Sequence, residues 1–315
     1  MSRPVAVLTS DWHLWGKPPV FRSEDDWFGV MGHAVGLVAK YAARFGIPVL
    51  VAGDVFDSYN PACELLNSIL EWIPDNLRVY AVPGQHDLQN HNLEAIGRTG
   101  FETLGRIGRI GHIRPNSVVH LECNGMGVNV KGLGWGSEDD GSEWGEGDSM
   151  SILLHHRYVY SSKETSYADA PDEFRADNVM EFKNMRGRLK IAVFGDNHIP
   201  FSKKLGNGNI IVNCGTLICR KADEKRDKAG FYVLFDDGSV RRVPTGRDSD
   251  VYLDDVGTGS PDSAVRCGMN GLIGDDEIDV PDFETEVRKR VELTRNETAI
   301  EFVSAVFESC RRALK

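Results

Sequence analysis

The sequence predicts an α/β protein whose strands deliver acids and imidazoles to one edge. Three observations lead there. Val/Ile/Leu-rich runs recur at 5–9, 47–53, 79–84, 128–134, 151–156, 191–196 and 209–215. Continuous apolar runs of this length suit strands buried on both faces. Helical spacing of apolar residues fills the gaps between the first three runs, which makes a layered strand–helix–strand plan. Five of the runs end in the same few polar residue types.

Taken in order, VAVLT opens the chain and DWFGVMGHAVGLVAKYAARFG (26–46) follows as a helix with Gly46 as its C-cap. After IPVLVAG comes a second helix over 60–72, with Asn60 predicted as N-cap and Pro61 as first helical residue. The third strand, VYAVPG, leads into LEAIGRTGFETLG, a further helix candidate. Residues 134–149, GWGSEDDGSEWGEGDS, are rich in Gly and acid and read as a loop. Residues 230–243 read as a hairpin turning at Asp237-Gly238. From 247 to 282 the chain is Asp- and Gly-rich with little periodicity, a linker or extension; 283–315 carries an amphipathic helical stripe through Ile300, Val303, Val306 and Phe307. The expected division is a catalytic domain over 1–246, the acidic segment over 247–282 and a helical segment over 283–315.

The bulk properties narrow the class. Of 315 residues, 41% are hydrophobic and 26% charged, the balance of a globular domain. No stretch approaches the ~20 apolar residues that span a bilayer. The first apolar run is too short for a signal peptide, so the reading is a cytoplasmic protein with no membrane partner. The six cysteines form no CxxC pair and read as reduced thiols. A net charge of −11 excludes nucleic-acid binding by bulk charge alone. Any such binding needs local basic patches, among which Lys203, Lys204, Arg220, Lys221, Lys225 and Arg226 stand near one another in sequence.

The strand ends form a set: Asp11-Trp-His13, Gly53-Asp54, Gly84-Gln85-His86-Asp87, His155-His156 and Gly195-Asp196-Asn-His198. In an open α/β sheet the C-terminal strand ends converge on one crevice. Buried charges there must be paired or hold metal. Two divalent ions sharing one Asp account for the whole set, and paired ions are a common device for attack on phosphate esters.

DWH, GDVFD, GQHD, LLHH and GDNH resemble the five motifs of the calcineurin-like metallophosphoesterases over about residues 5–243. The resemblance implies a four-layer α/β (α+β) β-sandwich flanked by helices, with a small helical C-terminal extension. It implies that Asp11, His13, Asp54 and His198 hold one ion, that Asp54 bridges, and that Gln85, His155 and Asp196 complete the second site. His155 is preferred because it directly follows the apolar run, with His156 as the alternative. Gln85 stands where the family usually has Asn, and Asp196 where it has His. Both changes make the second site richer in hard oxygen donors, favouring Mn²⁺ or Mg²⁺. His86 is the expected general acid or transition-state stabiliser, with Asp87 orienting its imidazole. His91 and Asn92 are candidate substrate contacts. Asp57 is expected to brace its loop, and His33 is not expected to be a ligand.

Within the superfamily, GDVFDSYNP and NCGTLICRKADEKRDKAGFYVLFDDG are most similar to the SbcD-type DNA repair nucleases and their phage recombination-endonuclease relatives. That likeness implies a metal-dependent DNA nuclease subunit, DNA as substrate, an SMC-like ABC ATPase (SbcC-like) docking on helices at 283–315, and a homodimer as a further possibility. A phosphatase or nucleotide phosphodiesterase uses the same metals and is the alternative function. A scaffold that has lost the chemistry is a third.

Overall fold

The computed structural model describes residues 2–166, 170–179, 181–220, 229–247 and 249–252. The acidic segment beyond 252, the helical stripe at 283–315 and the basic residues Lys221, Lys225 and Arg226 lie outside the described residues.

Two six-stranded mixed sheets carry the fold. The first has the order β12-β11-β1-β2-β3-β4, from β1 (Pro4–Thr9), β2 (Val49–Ala52), β3 (Val79–Val82), β4 (Gly111–His112), β11 (Gly230–Phe235) and β12 (Val240–Pro244). The second has the order β5-β6-β7-β8-β10-β9, from β5 (Val118–Cys123), β6 (Met126–Leu133), β7 (Met150–His156), β8 (Leu189–Gly195), β9 (Phe201–Lys204) and β10 (Ile210–Asn213). Strands β1 to β4 pair in parallel, as do β6, β7, β8 and β10, so the ends of β1, β2, β3, β7 and β8 can meet along one rim.

The apolar runs explain the layers. Val5, Leu8, Leu50, Ala52 and Val82 of the first sheet pack against Val128, Val130, Ile152, Leu154 and Val193 of the second. The opposite face of the first sheet is covered by α1 (Trp27–Phe45), α2 (Cys63–Trp72) and α3 (Gly100–Arg106), which bury Met31, Val38, Leu65, Ile69 and Phe101 on Val7, Val49 and Val51. The outer face of the second sheet buries Leu153, Phe194 and Ile211 under Trp144, Val159, Ala176 and Met185. Among the described residues, that cover is made of loops and 3₁₀ turns at Lys163–Thr165 and Asp172–Phe174, so helices flank one side of the sandwich only.

Helix α1 ends as predicted, with Gly46 in the left-handed region (φ 64°) and its N–H donating to Ala42 and Ala43. Helix α2 begins at Cys63 with Ala62 as N-cap, two residues after the expected cap at Asn60. Pro61 is committed elsewhere. It packs so tightly on Gly100 that a Cβ there would fall 2.3 Å from Pro61 Cγ. The single helix expected over 93–105 is two pieces. A 3₁₀ segment (Leu93–Arg98) stops at Thr99, whose side chain caps α3 by accepting from the Glu102 N–H.

The sheets are in tight contact at Gly132, where a Cβ would sit 2.6 Å from Ile113 Cγ2 and 2.9 Å from Val82 Cγ1. Overfilling such a contact costs about 1–3 kcal/mol. Gly132→Ala is expected to lower the unfolding free energy by that amount, measured by urea titration; an unchanged midpoint would show that the sheets can part there.

Candidate metal centre

Each strand end that meets the rim turns sharply, and the backbone records it. Asp11, His13, Asp54 and Asp196 all have φ between 44° and 80°. Left-handed non-glycine residues are uncommon and cost about 1–3 kcal/mol each. Here they follow β1, β2 and β8 directly. The turns are tied to one another: Asp11 N donates to Gly53 O, His13 N to Asp54 O, Leu14 N to Val55 O, and Leu217 N to Asp11 O.

These turns gather the side chains. Asp54 and Asp11 are fully buried. Asp54 Oδ1 accepts from the His86 backbone N–H at 2.9 Å. Asp54 Oδ2 lies 3.6 Å from His13 Nε2 and 3.5 Å from His156 Nε2, and no hydrogen bond satisfies it. His13 Nε2 and His198 Nε2 face each other at 3.1 Å, and Asp11 Oδ1 stands 3.9 and 3.8 Å from them. Among the described residues three groups of converging donors result: Asp11–His13–His198, Asp11–Asp54–His156 and, on the side of His86, His13–Asp57–His86. Gln85 spans the second, with His156 Nε2 2.6 Å from its Oε1 and its amide donating to Asp196 Oδ1 at 2.8 Å. A buried carboxylate oxygen without a donor, and imidazole nitrogens turned on one another, are the signature of a site shaped for cations. The mixture of carboxylate, imidazole and amide oxygen suits first-row divalent ions or Mg²⁺.

Of the histidine pair, His156 is the one that turns toward the other donors. Along β7 successive side chains point to opposite faces. His156 points inward between Asp54 and the Ala52 carbonyl, which its Nδ1 meets at 2.6 Å. His155 points the other way, with Nδ1 3.5 Å from Glu181. The expectation for Asp87 also changes. Its buried carboxylate accepts from the backbone N–H groups of Phe56, Val55 and Gly84, so it ties the Asp54 turn to the Gln85 turn. His86 is oriented instead by the Asp57 carbonyl, 3.0 Å from its Nδ1. Its ring stands edge-on to His13 with centroids 4.9 Å apart.

Asp57 braces the centre as well as its loop. Its carboxylate lies 3.2 Å from His13 Nδ1 and takes both arms of Arg220, at 2.6 and 2.8 Å. Such an outer carboxylate fixes the orientation of a ligating histidine. Arg220 is the residue whose role the sequence did not reveal. His91 is exposed, with its ring 6.3 Å from His86, and Asn92 caps the following turn by accepting from Glu94 N–H. His33 is exposed on α1. Lys203 pairs with Asp177 at 2.7 Å.

The electrostatics follow from burial and crowding. Burial pushes Asp11 up to about 6. Burial works against ionising Asp54, yet His156, and behind it His13 and His86, hold that carboxylate well below its usual range. Burial drops His13 to about 4, whereas in His156 burial is overcome by Asp54, Asp11 and Asp196, which lift it to about 10. Without a cation, then, the His156 imidazolium supplies the positive charge the carboxylates require.

A family model described as calcineurin-like phosphoesterase matches residues 5–200. Comparison with curated proteins finds no match. Among solved structures, the chain is similar to a Thermus thermophilus sulfate thiohydrolase SoxB in complex with glycerol, with TM-score 0.45, 12% identity, and 84% of this chain and 60% of that one covered. It is also similar to a Staphylococcus aureus protein assigned as a 5′-nucleotidase, in complex with α-ketoglutarate, with TM-score 0.43, 11% identity, and 84% of this chain and 58% of that one covered. The chain thus spans under two thirds of the length of either structure.

Two measurements test the centre. A metal ligand must lose its proton on loading. Because His156 holds its proton to about 10, raising the pH from 7 to 9 is expected to tighten Mn²⁺ binding by about tenfold per unit for each proton displaced. Calorimetry in buffers of different ionisation enthalpy checks this, and a pH-independent affinity would refute it. Gly53 has φ 89°, and a Cβ there would sit 2.2 Å from His156 Nδ1. Gly53→Ala is expected to weaken metal binding about 10–100-fold, the usual effect of disturbing a ligand's support.

Proposed function

We propose that this chain, which belongs to the calcineurin-like phosphoesterase family, is a metal-dependent hydrolase that cleaves the phosphodiester bonds of DNA. The observation that carries the reading is the placement of His86. Its backbone N–H holds Asp54, its Nδ1 meets the Asp57 carbonyl, and its ring stands beside His13 at the rim of the donor cluster.

Asp11, His13, Asp54 and His198 would hold one ion, and Asp54, Gln85, His156 and Asp196 the second. Bound divalent ions lower the pKa of water and neutralise phosphate charge. The chain's own part is to keep the ligands rigid and to manage a proton. Donation from His86 Nδ1–H to the Asp57 carbonyl leaves Nε2 as the nitrogen that would hand a proton to the substrate. Once protonated, Nε2 is an acid for a leaving alkoxide. Asp57 couples this group to the ligand set, because its carboxylate orients His13 while its carbonyl orients His86.

Support for DNA as substrate comes from the segment that carries the SbcD-like resemblance. Thr216 Oγ1 donates to Asp11 O, Thr216 N donates to His198 O, and Arg220 grips Asp57. The part of the chain most like a nuclease therefore builds one wall of the centre. An ATPase partner docking at 283–315 remains part of the proposal.

The test is turnover with Mn²⁺ on end-labelled linear DNA and on bis-p-nitrophenyl phosphate, with EDTA and His86→Ala as controls. The expected result is metal-dependent DNA degradation, with kcat lowered about 10²–10⁴-fold in His86→Ala, the usual worth of a positioned acid, while metal still binds. Hydrolysis of bis-p-nitrophenyl phosphate alone would replace the nuclease reading with a phosphodiesterase of small substrates, and full activity in His86→Ala would remove His86 from the chemistry.

A further inference from the structure

Beside the donor cluster lies a cleft of about 480 Å³, walled by Trp135, His155, His156, Arg157 and Glu181. It borders the centre at the buried His156, whose Nε2 faces Asp54 and whose ring meets Trp135 edge-on at 6.3 Å. A volume in this range holds a small organic ligand.

Its walls are built rather than incidental. Trp135 N donates to Pro83 O at 2.9 Å, immediately before the Gly84-Gln85 turn, so the half-buried indole is held in register with the site. Arg157 donates to Glu181 at 2.5 Å and lies 5.7 Å from the Phe174 ring centroid, while its side chain stays 36% exposed. The Glu181 carboxylate sits between Arg157 and His155, largely hidden from solvent, and so presents little charge to the cleft. The acidic turn on the opposite side lines the cleft with Glu138 and Asp139, and one lysine offsets part of its charge. The fully buried Lys131 donates to Asp139 and Asp140 at 2.6 and 2.8 Å. The cleft thus offers one aromatic platform and one oriented guanidinium, next to a phosphate-cleaving centre.

We propose that this cleft is a nucleoside subsite, in which the base attached to the scissile phosphate stacks on Trp135 and Arg157 takes the neighbouring phosphate of the strand. The inference rests on the phosphodiesterase reading and names its substrate as a nucleotide polymer of any sequence. Stacking on an aromatic ring tolerates every base. A braced guanidinium matches a phosphate with two parallel donors.

Two Mn²⁺-dependent assays with the same leaving group test it: the p-nitrophenyl ester of thymidine 5′-phosphate and methyl p-nitrophenyl phosphate. The intact protein should prefer the nucleoside ester. Trp135→Ala should shrink that preference in kcat/KM about tenfold, mainly through KM, and Trp135→Phe should restore most of it. A preference that survives Trp135→Ala overturns the proposal. In parallel, anisotropy of a labelled oligothymidylate in EDTA reads binding without turnover. Arg157→Ala should lower the salt slope of that binding by about one, and an unchanged slope would remove Arg157 from the phosphate path. Failure of the intact protein on both esters would refute the hydrolase reading alone. The subsite then stands if Trp135→Ala weakens oligothymidylate binding about tenfold, and falls if it does not.

Discussion

The structure depends on one electrostatic constraint, the negative charge of Asp54 buried at the seam of two sheets. A carboxylate with no access to water must be met by positive charge or by donors. Oδ1 has the His86 N–H, and Oδ2, which has no hydrogen-bond donor among the described residues, lies beside the imidazoles of His13 and His156. That arrangement is stable with an imidazolium or a cation in place and poor without either. It explains why Asp11, His13, Asp54 and Asp196 share left-handed backbone. The three turns that carry these four residues are held because neighbouring turns bond to one another and because the packed sheets leave no room to relax. The glycines serve the same end. A Cβ at Gly84 would fall 2.1 Å from Asp54 Oδ1, and one at Gly195 would meet the Ala52 carbonyl at 2.2 Å.

The outer shell shows how one element serves two tasks. Asp87 collects three backbone N–H groups from the Asp54 and Gln85 turns, so the Asp54 carboxylate and the His86 imidazole are tied to one support. Asp57 does the equivalent for His13 and His86, and Arg220 holds Asp57 in place from the segment after β10. Ligand geometry and proton delivery are therefore coupled through residues that touch neither ion nor substrate.

Much of this was legible in the sequence because parallel strands obey a simple rule. An apolar run buried on both faces must end at the rim, and the residues just past its end lie in the crevice. That rule located Asp11, Asp54, Gln85, Asp196 and His198 near one another. It could not choose between His155 and His156, since the choice depends on pleat and register. Leu133 pairs with His155 and Gly195 with His156, and only the small Gly195 leaves space for an inward imidazole. Nor could it read Asp87, whose partners are backbone amides invisible in any motif. The start of α2 escapes a sequence reading for a related reason, because Pro61 answers to Gly100, distant in sequence, rather than to local helix chemistry. Strand β5 carried a signal in Asn124-Gly125, both residues left-handed in the turn to β6.

The two departures from the family pattern are best understood together. Gln85 stands where Asn is usual and Asp196 where His is usual, and either change alone would disturb the second site. Gln is one carbon longer than Asn, so its amide reaches across the rim. Asp offers an acceptor where His would offer a ring nitrogen. In this chain the Gln85 amide donates to Asp196 Oδ1 at 2.8 Å while its oxygen faces His156 at 2.6 Å. The longer amide meets the new carboxylate, and the added negative charge is one of those that hold the proton on His156. The pair thus keeps the second group of donors connected and more anionic than the usual pattern. The altered motif reads as a site retuned, with its two substitutions matched to each other.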